Sequence, residues 1–155
     1  MTVTKHDTIR KEPCMRVKRI EKNRFLFCVY LIVLIVVTLR PLIRPIHLFG
    51  GKVNAVLFEE YLPILYNGHL LRVLYLFLGN VIWFIPMGCY FVQRKKLPVL
   101  QTVLIGFLVS LLIETLQYVL GTGVSELDDL ILNTFGCMTG ALLAWVANRQ
   151  PVTEI

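Results

Sequence analysis

Carboxylates and amides interrupt the apolar runs in the second half of this chain. Glu114 and Gln117 are three residues apart, so on a helix their side chains share one face. Asp129 and Asn133 are four residues apart and share a face of the following helix. An ionisable side chain in hydrocarbon costs roughly 3 kcal/mol or more, so it faces other polar groups or water. If both helices cross a bilayer, Glu114 is a candidate for a functional site.

The composition indicates an integral membrane protein. The chain has 155 residues, 56% of them hydrophobic, with a mean hydropathy of +0.68, which exceeds that of an ordinary soluble domain. The net charge is +6, but half of the sixteen Lys and Arg residues precede Phe25. There they suit the anionic lipid headgroups of a cytoplasmic surface, and nucleic-acid binding is disfavoured. The cysteines at positions 14, 28, 89 and 137 lack metal-ligand spacing, and we interpret them as small, reduced core residues.

Four apolar segments predict an all-α, polytopic membrane bundle. The predicted spans are 25–39, 70–92, 97–120 and 130–146. The first has a basic flank and no cleavage motif, which favours an uncleaved anchor, and Arg40-Pro41 marks its outer end. We divide the chain into a basic cytoplasmic tail (1–24), a transmembrane domain (25–146) and a short cytoplasmic tail (147–155).

Charge predicts the orientation of the bundle. Together with the basic N-terminus, Arg94, Lys95 and Lys96 place that turn and both termini in the cytoplasm, and the acidic turn 121–129 outside. Between the first two spans, Val53, Val56, Leu57 and Tyr61 recur at helical spacing. This pattern favours a short amphipathic helix at the outer interface that ends or kinks at Pro63.

Three of the predicted spans deliver polar side chains to one outer layer. Glu114 lies roughly 9 Å inside the third span at 1.5 Å per residue, Asn133 lies in the first turn of the fourth, and Asn80 lies in the outer half of the second. We interpret Asn80 first as a hydrogen-bonding contact between helices. The candidate pocket comprises Asn80, Glu114, Gln117, Glu126, Asp129 and Asn133.

Small residues and a proline predict close packing. Gly136 and Gly140 form a small-xxx-small stripe that lets a neighbouring backbone approach. Pro86 and Gly88 predict a kink or a packing contact in the second span.

The acidic turn allows two interpretations. In the first, Ser125 caps the fourth helix and Asp128 completes a capping box. In the second, Glu126, Asp128 and Asp129 face a ligand or a divalent cation, for which oxygen ligands suit Mg²⁺ or Ca²⁺. We favour a site role for Asp129 because it aligns with Asn133, and the identity of any metal stays open.

Two motifs resemble those of the VanZ family of bacterial membrane proteins. An N-x-x-x-F/I-x-P-x-G pattern runs from Asn80 through Phe84 and Pro86 to Gly88. An E-x-x-Q…D-x-x-D-x-x-x-N-x-x-G pattern is matched by Glu114, Gln117, Glu126, Asp129, Asn133 and Gly136.

The chain departs from the family pattern at two places. Glu126 stands where the family usually has Asp, and residues 46–49 stand near a family Asn-Leu-x-Pro-Phe motif. The resemblance implies a polytopic protein of the bacterial cytoplasmic membrane. For some members it implies reduced susceptibility to teicoplanin-type lipoglycopeptides, and it supplies no established reaction.

Three functions remain open. We favour a non-enzymatic envelope protein, without a cofactor, that binds a lipid-linked wall component or another amphiphile. The alternative is a membrane enzyme on a lipid-linked substrate with Glu114 as general base. A cation-coupled transporter would require a homo-oligomer, because four helices are few for alternating access. Expected partners are membrane lipids and a lipid-linked wall component or lipoglycopeptide.

Overall fold

The computed structural model describes residues 5–39 and 46–149 of the chain, with the side chains of Glu21 and of 23–39 in the first range. In order, the elements are α1 (Lys5–Leu39), β1 (Lys52–Asn54), α2 (Tyr61–Tyr66), α3 (Leu70–Arg94), α4 (Val99–Leu120), β2 (Val124–Glu126) and α5 (Leu127–Arg149). The chain forms two compact units, Met1–Val37 and Thr38–Ile155. The predicted boundary at Arg40-Pro41 and the end of the C-terminal tail lie outside the described residues.

Residues 5–37 of the helix α1 make up the described part of the first unit, and its last two residues, Thr38 and Leu39, belong to the second. The helix begins at Lys5, so the basic segment and the apolar run form one continuous helix. Its apolar part, Asn23–Leu39, is shorter than the other three apolar helices. Cys28 is exposed on this helix, and its interpretation as a core residue was therefore wrong.

The second unit is a bundle of three helices that are long and apolar enough to cross a membrane: α3, α4 and α5. With the shorter apolar part of α1, they confirm the predicted all-α membrane bundle. Many large apolar side chains on these helices are exposed, as expected for surfaces that face lipid tails. They include Leu71, Tyr75, Ile82, Leu100, Leu104, Phe107 and Leu143.

Glycines bring α3 and α5 together. A Cβ atom on Gly136 would collide with the carbonyl of Val81, and one on Gly140 would collide with the carbonyl of Ile85. Because both contacts advance by four residues, α3 and α5 run parallel. Gly88 makes the reciprocal approach, against the carbonyl of Cys137.

Pro86 lies inside α3, which continues past it to Arg94. Its ring is exposed, so it occupies the side of α3 away from the close helix contact. The proline does not end the helix, because in a membrane helix neighbouring groups and local backbone adjustment can satisfy the carbonyl that it leaves free.

A two-stranded parallel sheet lies at one end of this bundle. Val53 of β1 pairs with Ser125 of β2, and we call this end, with β1, β2 and α2, the sheet end. The expected short helix is present as α2, but it begins only at Tyr61, because residues 52–54 form β1 instead. Pro63 lies in the first turn of α2, where a proline is tolerated, rather than at its end.

The segment 47–51 covers the C-terminal end of α4. The backbone N–H groups of His47, Phe49 and Gly51 donate to the carbonyls of Leu120, Val119 and Tyr118, at 3.0, 2.7 and 3.1 Å. The last carbonyls of a helix have no partner within it. The segment therefore supplies the hydrogen bonds that α4 cannot make for itself.

Candidate functional site

Asn80 and Asp129 join α3 to the start of α5. The Asn80 side-chain amide donates to Oδ1 of Asp129, and both side chains are half-buried. Asn80 therefore touches a second candidate site residue and also links two helices. The hydrogen bond brings the two sequence motifs together at one point.

Glu114 joins α4 to the chain just before α5. Its side chain is 4% exposed, and its Oε2 accepts a hydrogen bond from the backbone N–H of Glu126 at 2.8 Å. Glu126 lies at the end of β2, so this bond fixes the strand against α4. The Glu114 carboxylate thus positions the turn that carries Glu126.

Asn133 is bonded to α4 one turn deeper in the bundle. Its amide donates to Oγ of Ser110 at 3.0 Å, and both side chains are buried. Ser110 lies on the same α4 face as Glu114, one turn away. The two contacts show that α4 and α5 run antiparallel, since moving back along α4 means moving forward along α5.

Gln117 makes its hydrogen bond outside this set. Its Nε2 donates to the carbonyl of Thr38 at 3.0 Å, while its Oε1 is buried and has no partner among the described residues. Thr122, two residues after the end of α4, is 2% exposed, and within the described ranges its hydroxyl also lacks a partner. Gln117 is therefore not hydrogen-bonded to Asn80 or Asp129, since its side-chain amide donates to Thr38 instead.

Asp128 has a role that differs from the predicted capping box. Its Oδ2 accepts a hydrogen bond from the backbone N–H of Phe58 at 2.8 Å. Ser125, the expected cap, lies in β2 and pairs with β1. Asp128 thus ties the segment before α2 to the start of α5, and the capping interpretation was wrong because a distant backbone donor occupies this carboxylate.

The sheet end carries a concentrated negative charge. Burial, followed by the charges of Asp129, Glu60 and Asp128, raises the pKa of Glu126 from 4.5 to about 7. Burial and the charge of Asp129 also raise the pKa of Tyr61 above its usual value. Tyr61 is buried and therefore keeps its phenol proton next to these carboxylates.

Several contacts at or near the sheet end were not predicted from the sequence. Tyr61 was assigned to a helix at the interface, yet it packs into a cluster with Val81 and Leu132. Phe58 was not singled out, since a backbone donor leaves no trace in the residue type. Ser110 lies four residues before Glu114, and this i, i+4 spacing was the signal available for it.

The polar side chains at the sheet end determine which ligands could bind there. Among the described residues, no group of three or more His, Cys, Asp or Glu side chains is arranged to hold a metal ion. The sheet end offers mainly acceptors, namely carboxylate oxygens at the edge of an apolar bundle, and its strand β1 also carries the exposed cation Lys52. Such a set can take hydrogen bonds and positive charge from a ligand.

An apolar helical bundle with polar side chains paired between its helices defines a polytopic α-helical membrane protein. The family model VanZ/LLP1 matches residues 27–148, and the chain belongs to that family. No curated protein matches the chain. No solved structure matches it either.

Proposed function

We propose that this protein is a non-enzymatic component of the bacterial envelope, and that its sheet end binds a lipid-linked or amphiphilic ligand. The observation that carries the proposal is the convergence of three helices there. Asn80, Glu114, Asp129 and Asn133 are all hydrogen-bonded within or next to this end. A ligand with an acyl chain would lie along the apolar helices and place its polar group among these side chains.

Charge supports an outward-facing sheet end in the bacterial cytoplasmic membrane. The opposite end of the bundle carries Arg94, Lys95, Lys96 and Arg149, and the Arg149 guanidinium lies 3.7 Å from the centre of the Trp145 ring. Basic residues mark the cytoplasmic side. Both termini are then cytoplasmic, and the acidic sheet end meets ligands that arrive from outside.

Membership of the VanZ/LLP1 family supports a link to glycopeptide resistance. We propose that binding at the sheet end lowers the access of teicoplanin-type lipoglycopeptides, which carry an acyl chain, to their target at the membrane. A glycopeptide without that chain would not be retained at the membrane surface in this way. The proposal therefore predicts selectivity between the two kinds of drug.

Susceptibility measurements test this proposal. A sensitive Gram-positive host expresses the wild type, Asp129→Asn, Glu114→Gln or the control Glu21→Gln, which removes an exposed carboxylate of the first unit. We expect the wild type and the control to raise the inhibitory concentration of teicoplanin more than that of vancomycin. The two site variants should lose this effect at equal membrane levels.

Three results would contradict the proposal. Protection by both site variants equal to that of the wild type would remove the sheet end from the explanation. Absence of protection by the wild type would remove the resistance role. Turnover of a lipid-linked substrate that depends on Glu114 would replace it with the enzymatic alternative.

A further inference from the structure

The carboxylates at the sheet end lie close enough to act on one another. Glu126 is influenced by Asp129, Glu60, Asp128 and Glu59, which all oppose its ionisation. The four charged side chains that act most on Tyr61 are acidic as well. A neutral or anionic ligand would leave this repulsion in place, whereas a cationic group would relieve it.

A buried oxygen beside this cluster is left without a partner. The Asp128 side chain is 4% exposed. Its Oδ2 is occupied by the Phe58 backbone N–H, while its Oδ1 has no hydrogen bond to any residue that the structure describes. An unsatisfied buried acceptor costs about 1–3 kcal/mol, more for a charged group, so a donor from a ligand would be favourable at this atom.

We propose that the sheet end recognises the primary ammonium group of an amphiphile, with one ammonium N–H donated to Oδ1 of Asp128. This inference rests on the proposed ligand-binding function and names the ligand's chemical class. The three N–H groups of an ammonium suit a site built of acceptors. The charges of Asp129 and Glu60 attract it, and the apolar surfaces of α3 and α5 receive its chain.

The first experiment compares head groups on the same chain. The full-length protein, in phosphatidylglycerol nanodiscs, is titrated calorimetrically with octylammonium, octyltrimethylammonium and octanol, and empty nanodiscs supply the background. We expect octylammonium to bind about tenfold more tightly than octyltrimethylammonium, because the latter has the charge but no N–H to donate. Octanol should bind more weakly than either.

Two variants distinguish an effect on ligand binding from an effect on folding. Asp128→Asn keeps an oxygen for the Phe58 N–H and should weaken octylammonium binding about tenfold. Glu60→Gln removes an exposed charge, which leaves the fold intact, and should weaken binding about two- to threefold at low salt and less at high salt. The control Glu21→Gln should bind like the wild type.

A competition experiment identifies the source of the ammonium group. If phosphatidylethanolamine in the nanodisc competes with octylammonium, the natural ligand is a lipid head group. If it does not compete, the site is selective for an amphiphile that arrives from outside the bilayer. Either result retains the ammonium class and assigns its source.

Equal affinity for the ammonium and the trimethylammonium probes would overturn the inference, as would unchanged octylammonium binding by both site variants. Octanol binding as tight as octylammonium binding, weakened by Asp128→Asn but not by Glu21→Gln, would overturn it and leave the proposed function standing. If none of the probes binds above the background, both fail.

Discussion

The contact between α3 and α5 yields a sharp prediction through Gly136. A Cβ added there would lie 2.9 Å from the carbonyl carbon and 3.0 Å from the Cα atom of Val81, and closer still to its carbonyl oxygen. Ordinary contacts of this kind measure 3.4–4 Å. The obstructing atoms belong to a helix backbone, so no side-chain rotation can relieve the clash. For Gly136→Ala, the helices must separate by on the order of 0.5–1 Å, which costs about 1–3 kcal/mol.

Gly79 provides the matched control on α3. A Cβ at Gly79 would meet nothing within 4 Å. Because glycine is a poor residue in a helix interior, Gly79→Ala should stabilise the protein by about 0.5–1 kcal/mol. The same chemical change should therefore shift stability in opposite directions at the two positions.

The assay is equilibrium unfolding of the purified protein in mixed micelles with increasing SDS, followed by the fluorescence of Trp83 and Trp145. We expect the unfolding midpoint of Gly136→Ala to fall and that of Gly79→Ala to rise or stay constant. If Gly136→Ala unfolded at the wild-type midpoint or above it, the close approach of the two helices would be wrong.

Other predictions follow from single contacts. The raised pKa of Glu126, from 4.5 to about 7, means that the folded protein binds more protons than the unfolded chain between these values, so the free energy of unfolding should fall as pH rises through this window. Midpoints at pH 5 and 7.5 should differ less in Glu126→Gln than in the wild type, and an equal difference would contradict the assignment. Asn133→Ala should lower the free energy of unfolding by about 1 kcal/mol. A double-mutant cycle with Ser110→Ala should give a coupling energy of about 0.6 kcal/mol, because the two side chains share a hydrogen bond. Strictly additive effects would argue against that bond. Gly121 has a φ of 64°, and a Cβ there would meet the carbonyl of His47. Gly121→Ala should therefore lower the free energy of unfolding by about 1–2 kcal/mol and lower the SDS midpoint with it. An unchanged midpoint would contradict this.

The helices and their polar faces were accessible from the sequence because both depend on short-range periodicity. Long apolar runs gave α3, α4 and α5 with ends within a few residues of those predicted. The spacing of Asp129 and Asn133 placed both on one helix, and each is bonded to a neighbouring helix. The spacing did not predict which side chain of a neighbouring helix would bond to each of them.

The sheet end was not predictable in the same way. Strands β1 and β2 have three residues each, too few for an alternating pattern to appear. The bond from Phe58 to Asp128 spans 70 residues of chain and uses a backbone donor. Asp128 also fitted a local capping box, and tertiary contact decided between the two.

The cover that residues 47–51 place on α4 has a consequence for assembly. These residues are synthesised before α4, and their N–H groups have no α4 carbonyl to bind until that helix is in place. The sheet, the cover and the Phe58–Asp128 bond all depend on contacts between distant parts of the chain, which form late because the loop between them must first be closed. The transmembrane helices can therefore insert and pack while the sheet end is still open, and we expect that end to acquire its shape late in folding.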